Sequence, residues 1–511
     1  MRVLTNHPLE LFGARDEYPF AWTSFGPAAG HVIGDRTVPY DLPFDASRGS
    51  IHEVLALAGE PAPDAILLFW PDQEAIPRDL ESVDVPVIGV FSDYNLSLAL
   101  CTGLAPFFDL VLCDHSALPI FGRLPFARIE PWCQFSFRPN VHRPRTAVEG
   151  IEGLEGLEGL ASGRDIDIAF IGNLNPVVQR DRLPFLERIM ALGERYRVFV
   201  GSAQQGAPYA SVLARSRIAF NRSVRGEVNL RCFEAAACGA LLLCERENLE
   251  IRRYFREDEE VVLYGPHDLE DKICWLLEHE SERARIADAG RRRVQDHRLA
   301  KHCNELAQWI PTLDPTRRPR ADAVSVELGR ATSMLLGRAD ATAILEAFLR
   351  CARAETSART HNALAVAMMT RVGATMQQEA LRLLGGARKL DPLHLPTLAN
   401  LRRLRFLAGD LRGAAEIGTE LAAHARASTR FADFEGLVLP LGFEARALSH
   451  AQAIAATLRG LDLEPLRAFF LRLATDEDPQ GAMPLWSQAI DLRDAYATGT
   501  TRPVALSRSK V

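Results

Sequence analysis

Ser223 to Glu247 reads Ser-Val-Arg-Gly-Glu-Val-Asn-Leu-Arg-Cys-Phe-Glu-Ala-Ala-Ala-Cys-Gly-Ala-Leu-Leu-Leu-Cys-Glu-Arg-Glu. A loop carrying Gly226, Glu227 and Asn229 runs into a short helix expected from Leu230 to Cys238. Gly239 follows, and glycine ends helices because it enters the left-handed conformation at little cost. The apolar run Ala240 to Cys244 then reads as a buried strand. Arg231 and Glu234 stand three positions apart and therefore share a helical face. In an open α/β sheet, such a helix start and the loop before it lie at the carboxyl edge, where ligands bind. An exposed glutamate there can accept both hydroxyls of a ribose, and an arginine can balance a diphosphate. The same two residues also fit a plain surface ion pair.

Working outward, similar apolar runs recur on both sides. They are Ala65 to Trp70, Val87 to Phe91 and Phe108 to Cys113, then Ile166 to Ile171, Tyr196 to Val200, Ile218 to Phe220 and Val261 to Tyr264. Short runs with little alternation fit strands buried on both faces, as in parallel sheets. Helical patterns lie between them, at Arg182 to Leu192 and Asp268 to Leu277 for example. This alternation predicts two doubly wound α/β domains. Glu149 to Leu160 repeats Glu-Gly-Leu (once Glu-Gly-Ile) with no proline, which reads as a flexible acidic linker and not as a collagen segment. Pro311 to Arg320 is rich in proline and arginine, and the remainder is Ala/Leu/Arg-rich with helical periodicity. The expected divisions are 1–145, a linker at 146–164, 165–312, and a helical domain at 320–511.

Composition narrows the class. Of 511 residues, 59 are Lys or Arg and 66 are Asp or Glu, a net charge of -7 that argues against a dedicated nucleic-acid binder. No run of about 18 apolar residues is present, so no transmembrane segment is expected. Met1 to Pro8 lacks the apolar core of a signal peptide. Nine cysteines without a CxxC pair point to a reducing cytoplasm, and Arg/Ala-rich usage points to a bacterial source.

The opening segment resembles the donor-binding stretch of GT-B glycosyltransferases, specifically the spore-maturation (CgeB-like) group of family-one transferases. Asn229, Arg231, Phe233, Glu234, Ala237, Gly239 and Ala240 fill that group's pattern N-x-R-x-F-E-x-x-A-x-G-A. The resemblance implies two Rossmann-like domains facing a cleft, with a nucleotide-sugar donor on the second. Glu234 is the implied ribose ligand. Other GT-B enzymes carry two glutamates eight apart, and here Glu227 and Glu234 are seven apart. Gly172 and Asn173, after the strand Ile166 to Ile171, would meet a phosphate through backbone N–H groups. Arg180 or Arg182 would also reach a phosphate, and Asn221 is a candidate donor contact.

On the acceptor side, Asp93 and His115 follow apolar runs and are candidates for the base that deprotonates an acceptor hydroxyl. Asp165-Ile166-Asp167 and Asp476-Glu477-Asp478 fit D-x-D but read as surface turns, so no metal and no cofactor is expected. In the helical region, Ala380, Leu384, Ala387 and Pro392 resemble one tetratricopeptide-like unit, followed one period of about 34 residues later by Gly409-Asp410, Ala414 and Leu421. Leu364, Leu398 and Leu401 supply its first-helix face, while Arg402 and Arg405 depart from the pattern. Such a domain would dock a protein acceptor or partner. The leading reading is a nucleotide-sugar-dependent glycosyltransferase. The competing ones are a non-catalytic repeat scaffold with a relic α/β part, and a sugar-nucleotide epimerase of the same fold.

Overall fold

The computed structural model describes residues 1–33, 36–92, 94, 102–122, 124–144, 164–174, 182–202, 206–223, 226–319, 321–337, 339–427 and 436–439. Asp93, nearly all of the acidic linker, Arg180 and the triplet Asp476-Glu477-Asp478 lie outside the described residues.

The strands in chain order are β1 (Arg2–Thr5), β2 (Ala21–Gly26), β3 (His31–Ile33), β4 (Arg36–Val38), β5 (Leu42–Pro43), β6 (Ala65–Phe69), β7 (Val87–Val90), β8 (Leu110–Cys113) and β9 (Ile129–Pro131), then β10 (Ile166–Ile171), β11 (Val198–Gly201), β12 (Ser216–Phe220), β13 (Leu241–Glu245) and β14 (Val262–Tyr264). The first sheet has the order β5-β2-β1-β6-β7-β8-β9 and the second β11-β10-β12-β13-β14. Every pairing within these two sheets is parallel. Strands β6, β7, β8, β10 and β13 are buried at every residue, which explains their unbroken apolar runs. Two parallel α/β domains followed by helices meet the GT-B expectation.

Strands β1 and β2 complete the first sheet without an apolar run to announce them. Strand β1 contributes only Val3 and Leu4 as apolar side chains, yet it lies between β2 and β6, and helices cover both of its faces. Around the opening segment, the helix Leu230–Ala237 ends as its sequence predicts. Gly239 adopts φ +73°, its N–H donates to Ala236 C=O, and Ala240 N–H donates to Ala235 C=O. Strand β13 then begins at once.

The chain returns to the first domain after the second. In the helix Leu299–Trp309, residues Leu299, Ala300, Cys303 and Leu306 join the core under Val3, Leu67, Val90 and Leu112. Trp132 Nε1 donates to His302 C=O at 3.0 Å and ties this helix to the segment that leaves the first sheet.

Arg318, in the proline-rich segment, is almost fully buried. Its guanidinium pairs with Asp109 at 2.6 Å and donates to the carbonyls of Leu80, Val83 and Val85. Among the described residues six α-helices follow: Ala323–Leu336, Ala341–Ala354, Ala358–Arg371, Gln377–Leu390, Leu395–Leu407 and Leu411–Ala427. Met334, Leu335, Phe348 and Leu364 belong to one continuous core with Leu68, Phe91, Leu104 and Phe107 of the first domain. Ala380, Leu384, Ala387, Leu398, Leu401, Ala414 and Leu421 are all buried between helices, and Pro392 follows directly on a helix end. No helix among the described residues is long and apolar enough to cross a membrane.

Two outcomes are expected. Arg318→Met leaves Asp109 buried without its counter-charge, which costs about 3–5 kcal/mol, whereas Arg318→Met with Asp109→Leu recovers much of the loss. Thermal melts of the three proteins check this. His302 is half-buried, and desolvation first, then His297 and Lys301, brings its imidazole down to about 4. An unfolded histidine titrates near 6.5, so between about pH 6.5 and 4 only the unfolded chain takes up this proton and stability falls as pH drops. The slope reaches up to about 1.4 kcal/mol per pH unit. Melting temperatures from pH 7.5 to 5 should fall less steeply in His302→Leu.

Candidate active site

The strand order of the second sheet reverses between β10 and β12, which opens a crevice at their carboxyl ends. Arg231, in the first turn of the helix Leu230–Ala237, reaches into that point. Its Nε donates to Ile171 C=O and its Nη1 to Asn221 Oδ1, both at 2.8 Å, and its guanidinium lies 4.5 Å from the Phe170 ring centroid. A Cβ at position 172 would collide with that guanidinium, so Gly172 is needed for Arg231 to lie across the strand end.

Arg182 joins it. It donates to Arg222 C=O and Asn173 C=O, each at 2.9 Å, and lies 5.0 Å from the same phenyl ring. Among the described residues no carboxylate forms an ion pair with either arginine. Burial first, then the charge of Arg231, lowers the pKa of Arg182 to about 9. Carbonyls and one aromatic face therefore hold two like charges whose net positive charge is left for a ligand. Arg182 is buried against the sheet edge, not a solvated surface arginine.

Asn221 is fully buried, and its amide is used inside the chain. It donates to Glu245 Oε2 at 3.3 Å while accepting from Arg231. It positions Arg231 and makes a poor direct donor contact. Glu245, which the sequence reading assigned no role, accepts from Ser223 N–H at 3.0 Å and from Asn248 Nδ2 at 2.8 Å besides Asn221. A carboxylate closing the run Leu-Leu-Leu-Cys at the carboxyl edge is the signal that marks it.

Glu234 is not the exposed carboxylate the sequence suggests, since its side chain is 10% exposed. Nor does it form an ion pair with Arg231. It bonds to the Tyr209 hydroxyl and lies 3.4 Å from His142 Nε2, close enough to Arg138 to feel its charge. Burial raises its pKa, opposed by Tyr209, Arg138 and Arg231. His142 Nδ1 accepts from Arg138 N–H at 3.1 Å, which assigns the ring proton to Nε2, facing Glu234. Burial and Arg138 bring His142 down to about 3, so this ring is neutral at physiological pH. Arg36, on the hairpin β3–β4 of the first domain, acts electrostatically on Arg138. The Glu234 cluster is therefore near the opposite domain.

Glu227 is buried, with its carbonyl accepting from Asn248 Nδ2 at 2.8 Å, and its carboxylate acts on Arg182 and on Tyr94 of the first domain. Asn229 occupies the N-cap position without a side-chain cap bond.

The first sheet reverses between β1 and β6, and two imidazoles gather there. His7 is 5% exposed, with its ring 4.7 Å from His31 and 5.3 Å from Trp70, centroid to centroid. Among the described residues, neither ring nitrogen of His7 has a hydrogen-bond partner. Burial, then His31, lowers its pKa to about 3. His31 Nδ1 lies 3.1 Å from the Tyr40 hydroxyl. Trp70 adopts φ 55°, a left-handed conformation costly for a bulky residue, and its indole donates to Gln134 Oε1 at 2.8 Å. The sequence reading missed this group because β1 is too short to register as a strand.

His115 lies elsewhere on the same edge, beyond β6 and β7. Its Nδ1 is 3.6 Å from Glu250 Oε2, and Glu250 Oε1 accepts from Ser116 N–H at 2.6 Å. These contacts join the two α/β domains. Asp167 pairs with Arg197 and Arg217, and Asp165 with Arg215, at the amino end of β10. Among the described residues no three His, Cys, Asp or Glu side chains converge as a metal site.

Residues 159–308 match the family model described as glycosyl transferase-like. No curated protein matches the chain. Among solved structures, HepE of Anabaena in complex with UDP is 15% identical, covering 61% of this chain and 100% of its own, with a TM-score of 0.41. Sucrose-phosphate synthase of Thermosynechococcus elongatus is 12% identical, covering 61% of this chain and 98% of its own, at 0.40. TarM of S. aureus is 12% identical over 48% of this chain at 0.35, and the present chain spans only 54% of TarM. At TM-scores below 0.5 these likenesses set no geometry for the present site. The second parallel domain, which carries the arginine pair and Glu234, is glycosyl transferase-like in sequence.

Proposed function

We propose that the chain is a glycosyltransferase that moves a sugar from a nucleoside-diphosphate donor to an acceptor hydroxyl. The observation that carries this reading is the pair Arg182 and Arg231, held at the switch point of the second sheet without a carboxylate. A diphosphate placed there relieves the mutual repulsion of the arginines and stabilises the leaving group as the glycosidic C–O bond breaks. The Gly172 N–H, expected to meet a phosphate, is spent on Gly201 C=O at 3.1 Å, so Gly172 contributes clearance for Arg231 and not a donor. Glu234 and Glu227 are the carboxylates for the ribose. Asn221 and Glu245 hold the arginine pair in place.

On the facing domain, His31 takes the acceptor proton as the new C–O bond forms. Tyr40 occupies its Nδ1, which leaves Nε2 for the acceptor. His7, kept neutral by burial, is suited to holding a substrate hydroxyl and is too weak a base to deprotonate one. Asp93 and His115 are the other candidates for the base. The helical region, which resembles tetratricopeptide units, would present a protein acceptor or partner from the first-domain side. The eight described cysteines form no disulfide, which supports a cytoplasmic setting. Membership of the spore-maturation group rests on the motif from Asn229 to Ala240, and transfer is proposed to need no metal.

Two measurements test this. Arg231→Gln should weaken UDP or the preferred donor about 10- to 100-fold by calorimetry, the worth of one charged hydrogen bond set. Saturation-transfer NMR with UDP-, GDP- and dTDP-sugars should detect a donor, and Glu234→Ala should reduce its signal. If no nucleotide sugar binds, the transferase and epimerase readings both fall. Once a donor and acceptor are found, His31→Ala should lower kcat about 10²–10⁴-fold with donor affinity unchanged, and turnover should persist in EDTA. Loss in Asp93→Ala or His115→Ala instead would move the base to that residue, and conversion of donor to its epimer without transfer would favour the epimerase.

A further inference from the structure

A second charged cavity opens at the amino edge of the second sheet, opposite the arginine pair. Its volume is about 240 Å³, several times the roughly 30 Å³ share of one water. Strand β10 separates the two edges by about 17–20 Å at 3.3 Å per residue. Four arginines, Arg164, Arg217, Arg283 and Arg291, line the cavity with two carboxylates, Glu280 and Asp288. Arg283 pairs with Glu280, Arg291 with Asp288 and Arg217 with Asp167, which leaves Arg164 as the guanidinium without a carboxylate among the described residues. Only alanine, glycine and proline complete the wall, so nothing there suits an apolar ligand.

The arginines are built in, not scattered. Arg164 Nη1 donates to Ala214 C=O and Ser216 C=O at 3.0 and 2.6 Å, and its Nη2 to Cys238 C=O at 3.1 Å. A Cβ at position 239 would lie 2.7 Å from that Nη2, so the left-handed Gly239 makes room for the guanidinium as well as ending its helix. Among the described residues no carboxylate pairs with Arg164. Arg283 is 5% exposed, and its single carboxylate partner, Glu280 at 2.8 Å, is 69% exposed. A buried or half-buried guanidinium without full compensation is costly, and an anion between Arg164 and Arg283 removes that cost.

We propose that this cavity binds a compact phosphate dianion, either free orthophosphate or the phosphate of a small ester. A phosphate monoester carries about -1.5 to -2 charges at pH 7, enough to pair with Arg164 and to share Arg283, whose own carboxylate partner is exposed. Arginine forks suit its oxygens better than any point charge. Arg164 and Gly239 lie at the end of the helix whose first turn carries Arg231, so the two anion sites flank one helix.

The test is calorimetric titration of the full chain with orthophosphate and, separately, glucose 1-phosphate, at ionic strength fixed with KCl. Saturable binding of either is expected, and the tighter of the two identifies free ion or ester. Arg217→Gln with Arg291→Gln should weaken it at least about tenfold while UDP affinity stays unchanged. Arg164 is left intact in this variant because it also bonds three carbonyls. Four outcomes overturn the proposal: no saturation by either probe, affinity unmoved in the double variant, displacement by UDP, or binding that emerges only after Glu149, Glu152, Glu155 and Glu158 are replaced by Gln. The last would mean that the chain's own carboxylates serve as the anion. Because UDP is the competitor, failure here leaves the donor-site reading standing, and failure there leaves this one standing.

Discussion

Two guanidinium groups share one phenyl ring, and among the described residues neither forms an ion pair with a carboxylate. Much of the second domain serves to hold that arrangement. Gly172 lacks a side chain so that Arg231 can cross the end of β10. Asn221 is buried to receive one of its N–H groups, and Glu245 is buried to fix Asn221. A carboxylate placed directly on either arginine would be easier to fold and would leave nothing for an anionic ligand. The two like charges are therefore complementary to an anion, which the proposed function takes to be the donor diphosphate.

The facing domain is arranged on the opposite principle. Where β1 and β6 part, charge is excluded: His7 is packed among Phe69, Trp70 and His31, and burial keeps it neutral. One wall of the crevice is thus fixed positive and the other is uncharged but rich in hydrogen-bonding groups. That division suits a reaction in which negative charge develops on the leaving side and a hydroxyl reacts on the other.

The buried strands and the helix from Leu230 were legible because a parallel sheet leaves an unmistakable apolar signature, and Gly239 marks its turn. Arg231 was legible for the same local reason, since it lies one position inside a helix start at a sheet edge. Glu234 was legible as a residue but not in its burial, because Tyr209, His142 and Arg138 come from segments far away in sequence. The imidazole pair was illegible for a different reason. Strand β1 has only two apolar side chains, and its burial is supplied by the neighbouring strands β2 and β6 and by helices packed on both faces. Likewise, the segment Pro311 to Arg320 reads by composition only as rich in proline and arginine, yet Arg318 is pinned inside the first domain by Asp109 and three carbonyls.

That buried pin, together with the core shared by Phe107, Met334 and Leu364, makes the helical region and the first α/β domain mechanically one body. A cargo carried on the helices would keep a constant distance and bearing to His31 whatever the crevice does. Under the proposed function, closure of the crevice would carry the donor toward a stationary acceptor, and the helices would act as a fixed ruler for which hydroxyl of an extended partner is presented.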